Sequence, residues 1–466
     1  MLTLRPYQSL GLEQIKAAYR AGSRAPVYVA PTGSGKTALF SAIAHGAATK
    51  RNRVLILSHR IELIDQISVA LSTSETPHGF IAAGYPRDEH ACMIASVPTL
   101  IRRLDHIAEP ALIICDECHH ARSTTFEKCL THWPRARLLG VTATPIRTSG
   151  EGLDTLFDQL IIGPSVRELT DAGFLAPARV FAPPTVDVSG LHRRGGDYAT
   201  NESEALMDRP TITGDAIAHY AKHARGLPAL AFCVSIEHAR HTAAQFREAG
   251  FAAIHLDGHT DRQIRRDVMA DFRAGKIQVL TSCDLFSEGL DCPGVQVGIM
   301  LRPTQSLGLH CQQIGRILRP APGKSHALIL DHVDNVGRFG LPDEPRTWSL
   351  AGAPDRRTAL TDDAPSVRVC PRCFAAQVSG RRLCQHCGFD FPVESRVVKQ
   401  AEGELAELTP EEILRRARMR VARQEQGRAE SLEALIEVGR RRGMRDPAGW
   451  ARHVIEARMA KRRVTA

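Results

Sequence analysis

Three kinds of side chain carry the chemistry of the first third of this chain: a lysine behind glycines, a hydroxyl, and paired carboxylates. In Val27-Tyr28-Val29-Ala30-Pro31-Thr32-Gly33-Ser34-Gly35-Lys36-Thr37, an apolar run enters a glycine loop and then a helical pattern. Gly33 and Gly35 permit a tight turn, so that successive N–H groups, those of Thr32 and Ser34 among them, aim at a phosphate from a helix N-terminus. Lys36 offers charge to terminal phosphates, and the Thr37 hydroxyl is a Mg²⁺ ligand. This is the form of a P-loop, with Ala30 where the stricter pattern has its first glycine. Downstream, the apolar run Ala111-Leu112-Ile113-Ile114-Cys115 ends in Asp116-Glu117. Asp116 suits the second Mg²⁺ position, and Glu117 a base that orients and deprotonates water. Alone, the loop could be an ordinary strand–turn–helix and the acids a turn cap. Together they point to nucleoside triphosphate hydrolysis.

A third group lies far along the chain, in Gln312-Gln313-Ile314-Gly315-Arg316-Ile317-Leu318-Arg319. On a helix Gln312, Arg316 and Arg319 share a face. Two guanidiniums aimed at one point stabilise charge on a transferring phosphoryl group. A solvated basic turn is the plain alternative, but the apolar Ile314, Ile317 and Leu318 favour a face turned into a cleft. A fourth group is Cys370-x₂-Cys373 and Cys384-x₂-Cys387, two knuckles across a ten-residue gap. Four thiolates in so short a segment suit a structural tetrahedral Zn²⁺.

The elements that must position these groups alternate. Val27–Val29, Val54–Leu57, Met93–Ser96, Ala111–Cys115 and Leu138–Thr142 read as buried strands separated by helical patterns, which implies a doubly wound parallel sheet. Ligands of such sheets sit at the carboxyl ends of strands, where the loop at 30–37 and His59-Arg60 fall. A second α/β series starts at Leu227 and ends at Ala327–Leu330 without a phosphate loop of its own. The organisation expected is a first domain over 1–165, a connector over 166–210, a second domain over 211–340, a linker over 341–368, a four-cysteine module over 369–392 and a basic helical tail over 405–466. Thr409-Pro410-Glu411-Glu412 carries the signature of a helix start in that tail.

The 466 residues carry a net charge of +9, with 43% hydrophobic and 24% charged residues, so a folded, nucleic-acid-compatible chain is expected. Between 410 and 466 stand 15 basic and 8 acidic residues, a local balance of +7. No apolar run approaches the roughly 20 residues of a membrane helix. The start of the chain has no signal-peptide layout, so a cytosolic setting with reduced cysteines is expected.

Arg5-Pro6-Tyr7-Gln8, the P-loop, Asp116-Glu117-Cys118-His119, Thr142-Ala143-Thr144-Pro145, Ser287-Glu288-Gly289-Leu290-Asp291 and the Gln312–Arg319 run resemble, in order and spacing, the motifs of superfamily 2 helicases and translocases. The resemblance covers roughly residues 1–340. It is closest to the branch of restriction-enzyme motor subunits and RadD-like repair helicases, and less close to DEAD-box RNA helicases. RadD-like proteins also follow two motor domains with a four-cysteine knuckle and a tail.

The resemblance implies two RecA-like domains, then a zinc-ribbon-like module and a helical region. It places Arg5 and Gln8 at adenine, and Gly289 and Asp291 near the ribose and the P-loop. Lys36, Asp116, Glu117, Gln312, Arg316 and Arg319 become the hydrolytic set, and His59, Arg60, Ser96, Thr99, Ser235 and Ser282 contacts to a nucleic-acid strand. The function it implies is ATP-dependent movement along nucleic acid, DNA favoured over RNA, of a repair or recombination type, in a bacterial cytosol or phage setting. ATP, Mg²⁺ and structural Zn²⁺ are the cofactors, and the C-terminal region is a candidate dock for a repair or single-strand-binding protein. The alternatives are an ATP-gated DNA scaffold that separates no strands, and an RNA helicase.

Overall fold

The computed structural model describes residues 3–121, 124–146, 151–182, 191–194, 197–207, 210–286, 292, 294–352, 367–391, 429, 431–444 and 446–464. The chain divides into two compact units, 1–393 and 394–466. The first unit is built on two sheets. Strands β1 (Pro26–Val29), β2 (Val54–Ser58), β3 (His78–Ile81), β4 (Cys92–Ser96), β5 (Leu112–Asp116), β6 (Arg137–Thr142) and β7 (Gln159–Ile162) form a wholly parallel sheet in the order β3-β4-β2-β5-β6-β1-β7. Every residue of β1, β2 and β5 is buried, which explains their unbroken apolar runs: helices cover both faces. β6 lies between β1 and β5, so the P-loop and Asp116 leave the same sheet edge two strand spacings apart, roughly 10 Å.

The second sheet draws on β8 (Ala178–Phe181), β11 (Ala229–Phe232), β12 (Ala253–His255), β13 (Val279–Ser282), β14 (Val297–Met300), β15 (Ala327–Asp331), β16 (Val367–Val369) and β17 (Ala375–Val378), in the order β12-β13-β11-β14-β15-β8-β17-β16. A separate small hairpin pairs β9 (Arg193–Arg194) with β10 (Asp197–Tyr198). Two features differ from the expected organisation. Segment 166–210 is more than a connector, because β8 within it pairs in parallel with β15. The four-cysteine module is also no separate bead: its strand β17 pairs antiparallel with β8 and extends the second sheet. Part of the expected linker is a strap as well. Trp348 and Leu350 pack on the core of the first domain, and Leu153 N–H donates to the Leu350 carbonyl at 2.6 Å.

The second unit contains, among its described residues, helices Leu432–Arg441 and Pro447–Val464, packed through Leu435, Val438, Ala451 and Val454. Ser431 caps the first of them by accepting from Ala434 N–H. The helix start at Thr409 lies outside the described residues. No helix among the described residues is long and apolar enough to cross a membrane.

Candidate active site

The P-loop leaves β1 and turns through Gly33 (φ +90°) and Gly35 (φ +76°), left-handed positions that glycine adopts without strain. Helix Lys36–Thr49 follows directly. Lys36 Nζ donates to the Ala30 and Pro31 carbonyls at 3.1 and 3.3 Å. Burial pushes its pKa down, against the pull of Glu117 and Asp116. Asp116 closes β5 and its Oδ1 accepts from Glu117 N–H at 3.1 Å. Its pKa is pushed up to about 7, first by burial and then by the adjacent Glu117. Two acids desolvated together call for a cation partner. A carboxylate and the Thr37 hydroxyl form an oxygen set that fits Mg²⁺.

The helix Leu307–Ile317 of the second domain lies directly on this loop. A Cβ at Gly315 would stand 2.4 Å from Thr32 Cβ, and one at Gly33 would meet Arg319 Cγ at 3.4 Å. Glycine at 315 therefore permits a backbone approach no other residue allows. On this helix Arg316 is buried; the helix ends at Ile317, so Arg319 stands just past its C-cap Leu318 instead of on the same helical face, and burial lowers its pKa. Gln312 Nε2 reaches His119 Nε2 at 3.2 Å, a contact between domains. Thr142 Oγ1 donates to the Thr144 carbonyl at 3.0 Å, so its lone pairs face Thr144 N–H and His119 Nδ1, the latter at 3.0 Å. This assigns the proton of His119 to Nδ1 and leaves Nε2 to accept from Gln312. Glu117 Oε2 lies 3.4 Å from that same Nδ1. One imidazole thus joins the acid pair, the β6 terminus and the second domain. Asp65 and Arg262 add a surface ion pair between the domains.

The sequence-selected residues divide into those brought here and those engaged elsewhere. Gln8 is buried against the loop: Nε2 donates to the Ser34 and Gly35 carbonyls at 3.1 Å each, and Oε1 accepts from Arg5 N–H at 2.9 Å. Through these bonds it braces the P-loop. Arg5 lies over the Phe174 ring at 4.7 Å and donates to Tyr7 Oη, which itself donates to the Ser34 carbonyl. Tyr7 and Phe174 were not singled out; Tyr7 stands inside the quoted Arg-Pro-Tyr-Gln run, whereas nothing near Phe174 in sequence signals a site.

His59 and Arg60 follow β2, and Ser96 Oγ donates to Thr99 Oγ1 at 2.8 Å at the end of β4. A groove there is lined by His59, Val97, Arg102, His120 and Phe126. His120, also not singled out, packs with its ring tilted against His59 at 4.3 Å and against His119 at 4.1 Å. Ser235 and Ser282 have local partners. Ser235 caps helix Ile236–Glu248 and donates to Glu204, and buried Ser282 accepts from Leu285 N–H. Gly289 and Asp291 lie outside the described residues.

In the cysteine module all four sulfurs lie within 4.8 Å of one another, with Cys370–Cys387 and Cys373–Cys384 at 3.7 and 3.6 Å. Tetrahedral Zn–S bonds of about 2.3 Å place sulfurs about 3.8 Å apart, so the set fits Zn²⁺. Each knuckle closes through a left-handed residue, Phe374 (φ +58°) and Gly388 (φ +69°).

The family model of the type III restriction enzyme res subunit matches residues 1–147, and that of the helicase conserved C-terminal domain matches 213–321. The chain belongs to the restriction-motor branch of the superfamily 2 helicases. A "51.5 kDa protein" of a Lactococcus phage is 36% identical over 380 residues, covering 81% of each chain. The putative mitochondrial ATP-dependent helicase irc3 of Schizosaccharomyces pombe is 30% identical over 380 residues, which are 76% of this chain and 61% of that protein. Two solved structures share the helicase fold. The ATP-dependent Type ISP restriction-modification enzyme LlaBIII bound to DNA superposes with a TM-score of 0.55 at 18% identity, over 71% of this chain and 28% of that one. A fragment of a putative HsdR subunit of a type I restriction enzyme from Vibrio vulnificus gives 0.58 at 21%, over 73% and 66%.

Proposed function

We propose that this helicase-family chain is an ATP-driven DNA motor, a DECH-type ATPase that translocates along a strand in a repair or recombination setting. The observation that carries the reading is the seating of the helix Leu307–Ile317 on the P-loop, with Gly315 against Thr32. Bound Mg²⁺–ATP supplies the phosphoanhydride to be hydrolysed and the cation that neutralises its oxygens. Lys36 and the loop amides would hold the phosphates from the first domain, and Asp116 with the Thr37 hydroxyl would hold the cation. Glu117 orients and deprotonates water, and His119 fixes Glu117 relative to Thr142 and Gln312. Arg316 and Arg319 hold the same phosphates from the second domain. Loss of their common target releases the two domains from one another, which turns a difference in ligand affinity into motion. His59, Arg60, Ser96 and Thr99 hold a strand by its phosphates, without sequence preference.

DNA is favoured by the likeness to the DNA-bound restriction-modification enzyme and by the positive balance of the tail, which also makes the C-terminal region the dock for a repair or single-strand-binding protein. The test is ATPase stimulation compared across single-stranded DNA, duplex, forked DNA and RNA, with Lys36→Ala and Glu117→Gln as controls. Turnover stimulated by DNA and abolished in both variants supports the motor. Undiminished turnover in both variants refutes it. Stimulation by RNA alone moves the substrate to RNA, and ATPase without strand displacement on forked DNA identifies a translocating or scaffolding ATPase that does not unwind.

A further inference from the structure

Arg316 and Arg319 reach the phosphate site by different means. Arg316 belongs to the helix Leu307–Ile317, so the helix aims it. Arg319 stands beyond the C-cap Leu318, where helical geometry no longer fixes the direction of a side chain. It is placed all the same: a Cβ on Gly33 would meet its Cγ at 3.4 Å, and its charge acts on Lys36. Its backbone must therefore be held from outside the helix.

Lys324 holds it. After Arg319 the chain turns through Pro320-Ala321-Pro322-Gly323, with Gly323 left-handed (φ +76°), and Lys324 N–H donates to the Ala321 carbonyl at 3.1 Å. The turn brings the Lys324 ammonium back to the end of the helix. Nζ donates to the carbonyl of Arg319 at 2.8 Å, to that of Val295 at 2.7 Å and to that of Ile317. An ammonium has three N–H donors, so these carbonyls use them all. The last carbonyls of a helix have no partner within it, and a cation there also meets the negative end of the helix dipole. The carbonyl between them, that of Leu318, accepts from Ala176 N–H at 2.8 Å. Val295 is buried two residues before β14, and the helix rests on that strand: a Cβ at Gly298 would stand 2.9 Å from Ile317 Cγ1. Lys324 thus ties the residue that presents the second guanidinium to the end of the helix and to the sheet. Burial pushes its pKa down to about 8, so the form with three donors prevails at neutral pH.

We infer that Lys324 is a positioning residue for ATP hydrolysis, holding the backbone from which Arg319 reaches the phosphates. Its donors are spent on carbonyls, so it acts through Arg319 and not on the nucleotide. The inference rests on the reading of Arg319 as a phosphate contact. Without the ammonium, the carbonyls of Ile317 and Arg319 would turn apart towards water. A shift of about 1 Å in a group that holds a reacting centre costs on the order of 100-fold in rate.

The test is a double-mutant cycle in the full chain, read as nucleic-acid-stimulated ATPase. Lys324→Met keeps the apolar stem and removes the ammonium. Its kcat is expected to fall at least about tenfold while KM for ATP stays within about threefold, because the charge that Arg319 meets is greatest in the transition state. Arg319→Ala should fall at least as far, and the double variant no further than Arg319→Ala alone, since residues that act as a unit are not additive. Lys324→Arg keeps the charge but offers a planar fork in place of a compact threefold donor, and should lose at least about threefold by the same route. It takes the place of Lys324→Met in the cycle if circular dichroism shows that the Met variant does not fold. Turnover within about twofold of the parent in the folded Lys324 variant overturns the inference. So does a double variant whose loss is the product of the two single losses, the result of a cap that only stabilises the fold. A parent that hydrolyses no ATP refutes the motor reading, and the cycle is then read as the preference for ATP over ADP in calorimetric titration. A preference reduced by the Lys324 variant, and no further in the double variant than by Arg319→Ala, supports the positioning role; one that is absent or unchanged overturns it.

Discussion

Gly315→Ala tests most directly how the two motor domains meet. The added Cβ would lie 2.4 Å from Thr32 Cβ, where ordinary contact begins at 3.4 Å, so the helix that carries Arg316 and leads into Arg319 must retreat by about 1 Å. Thr32 cannot yield instead, because its backbone is part of the P-loop, fixed between β1 and Gly33. A misplacement of about 1 Å in groups that hold a reacting centre costs on the order of 100-fold in rate. Stability moves the other way: alanine in a helix is favoured over glycine by roughly 1 kcal/mol, and the contact is between domains that can part. The expected outcome is a chain that melts no lower than the parent while its nucleic-acid-stimulated ATPase falls about 100-fold. Gly46→Ala, also in a helix and with nothing near its Cβ, is the control and is expected to leave turnover as it was. If Gly315→Ala hydrolyses ATP at the parental rate, the helix does not approach the P-loop during turnover and the apposition argument fails.

Three further outcomes are expected. His120→Ala removes the ring packed between His59 and His119, and nucleic-acid stimulation of turnover should fall about tenfold, a normal coupling magnitude, with His120→Phe restoring most of it; equal stimulation in both variants would break the link between groove and acid pair. Zinc removal, by chelation or by Cys373→Ser, should release one zinc per chain and speed amide exchange in β8 as well as β17, since the two strands pair; unchanged exchange at Ala178–Phe181 would show that the module does not support the second sheet. Burial pushes His310 and His332 down to about 3, so both stay neutral in the fold while the unfolded imidazole gains a proton below about 6.5. The unfolded state then binds more protons, and stability should drop as pH falls from about 6.5 towards 3, by at most about 1.4 kcal/mol per pH unit for each histidine. Chemical unfolding of His310→Leu and His332→Leu should show flatter acid slopes, and slopes equal to the parent would contradict the burial argument.

Much of the two-domain fold is legible in the sequence. Continuous apolar runs such as Val54–Leu57 and Leu112–Cys115 announce strands covered on both faces, and chemistry at their carboxyl ends follows from the topology of parallel sheets. The glycines and lysine of 30–37, the acids at 116–117 and the i, i+4 and i+7 pattern of 312–319 are local signals, because each reflects turn, strand or helix geometry over a few residues. Residues whose role depends on distant partners were not legible in this way. Phe174 meets Arg5 and Tyr7 across the domain boundary, and His120 gains its meaning only by packing against His59.

The sequence by itself determined two parallel-sheet domains, a phosphate loop, an acid pair, an arginine helix and a four-thiolate module. Tertiary structure alone decided that the arginine helix lies against the loop with Gly315 at the contact. It also decided that His119 links three elements and that the cysteine hairpin completes the second sheet. The physical reason is the range of the forces that leave marks in sequence. Periodicity and turn chemistry act between near neighbours and shape composition position by position, whereas pairing between strands well over a hundred residues apart is set by which surfaces remain once each element has formed.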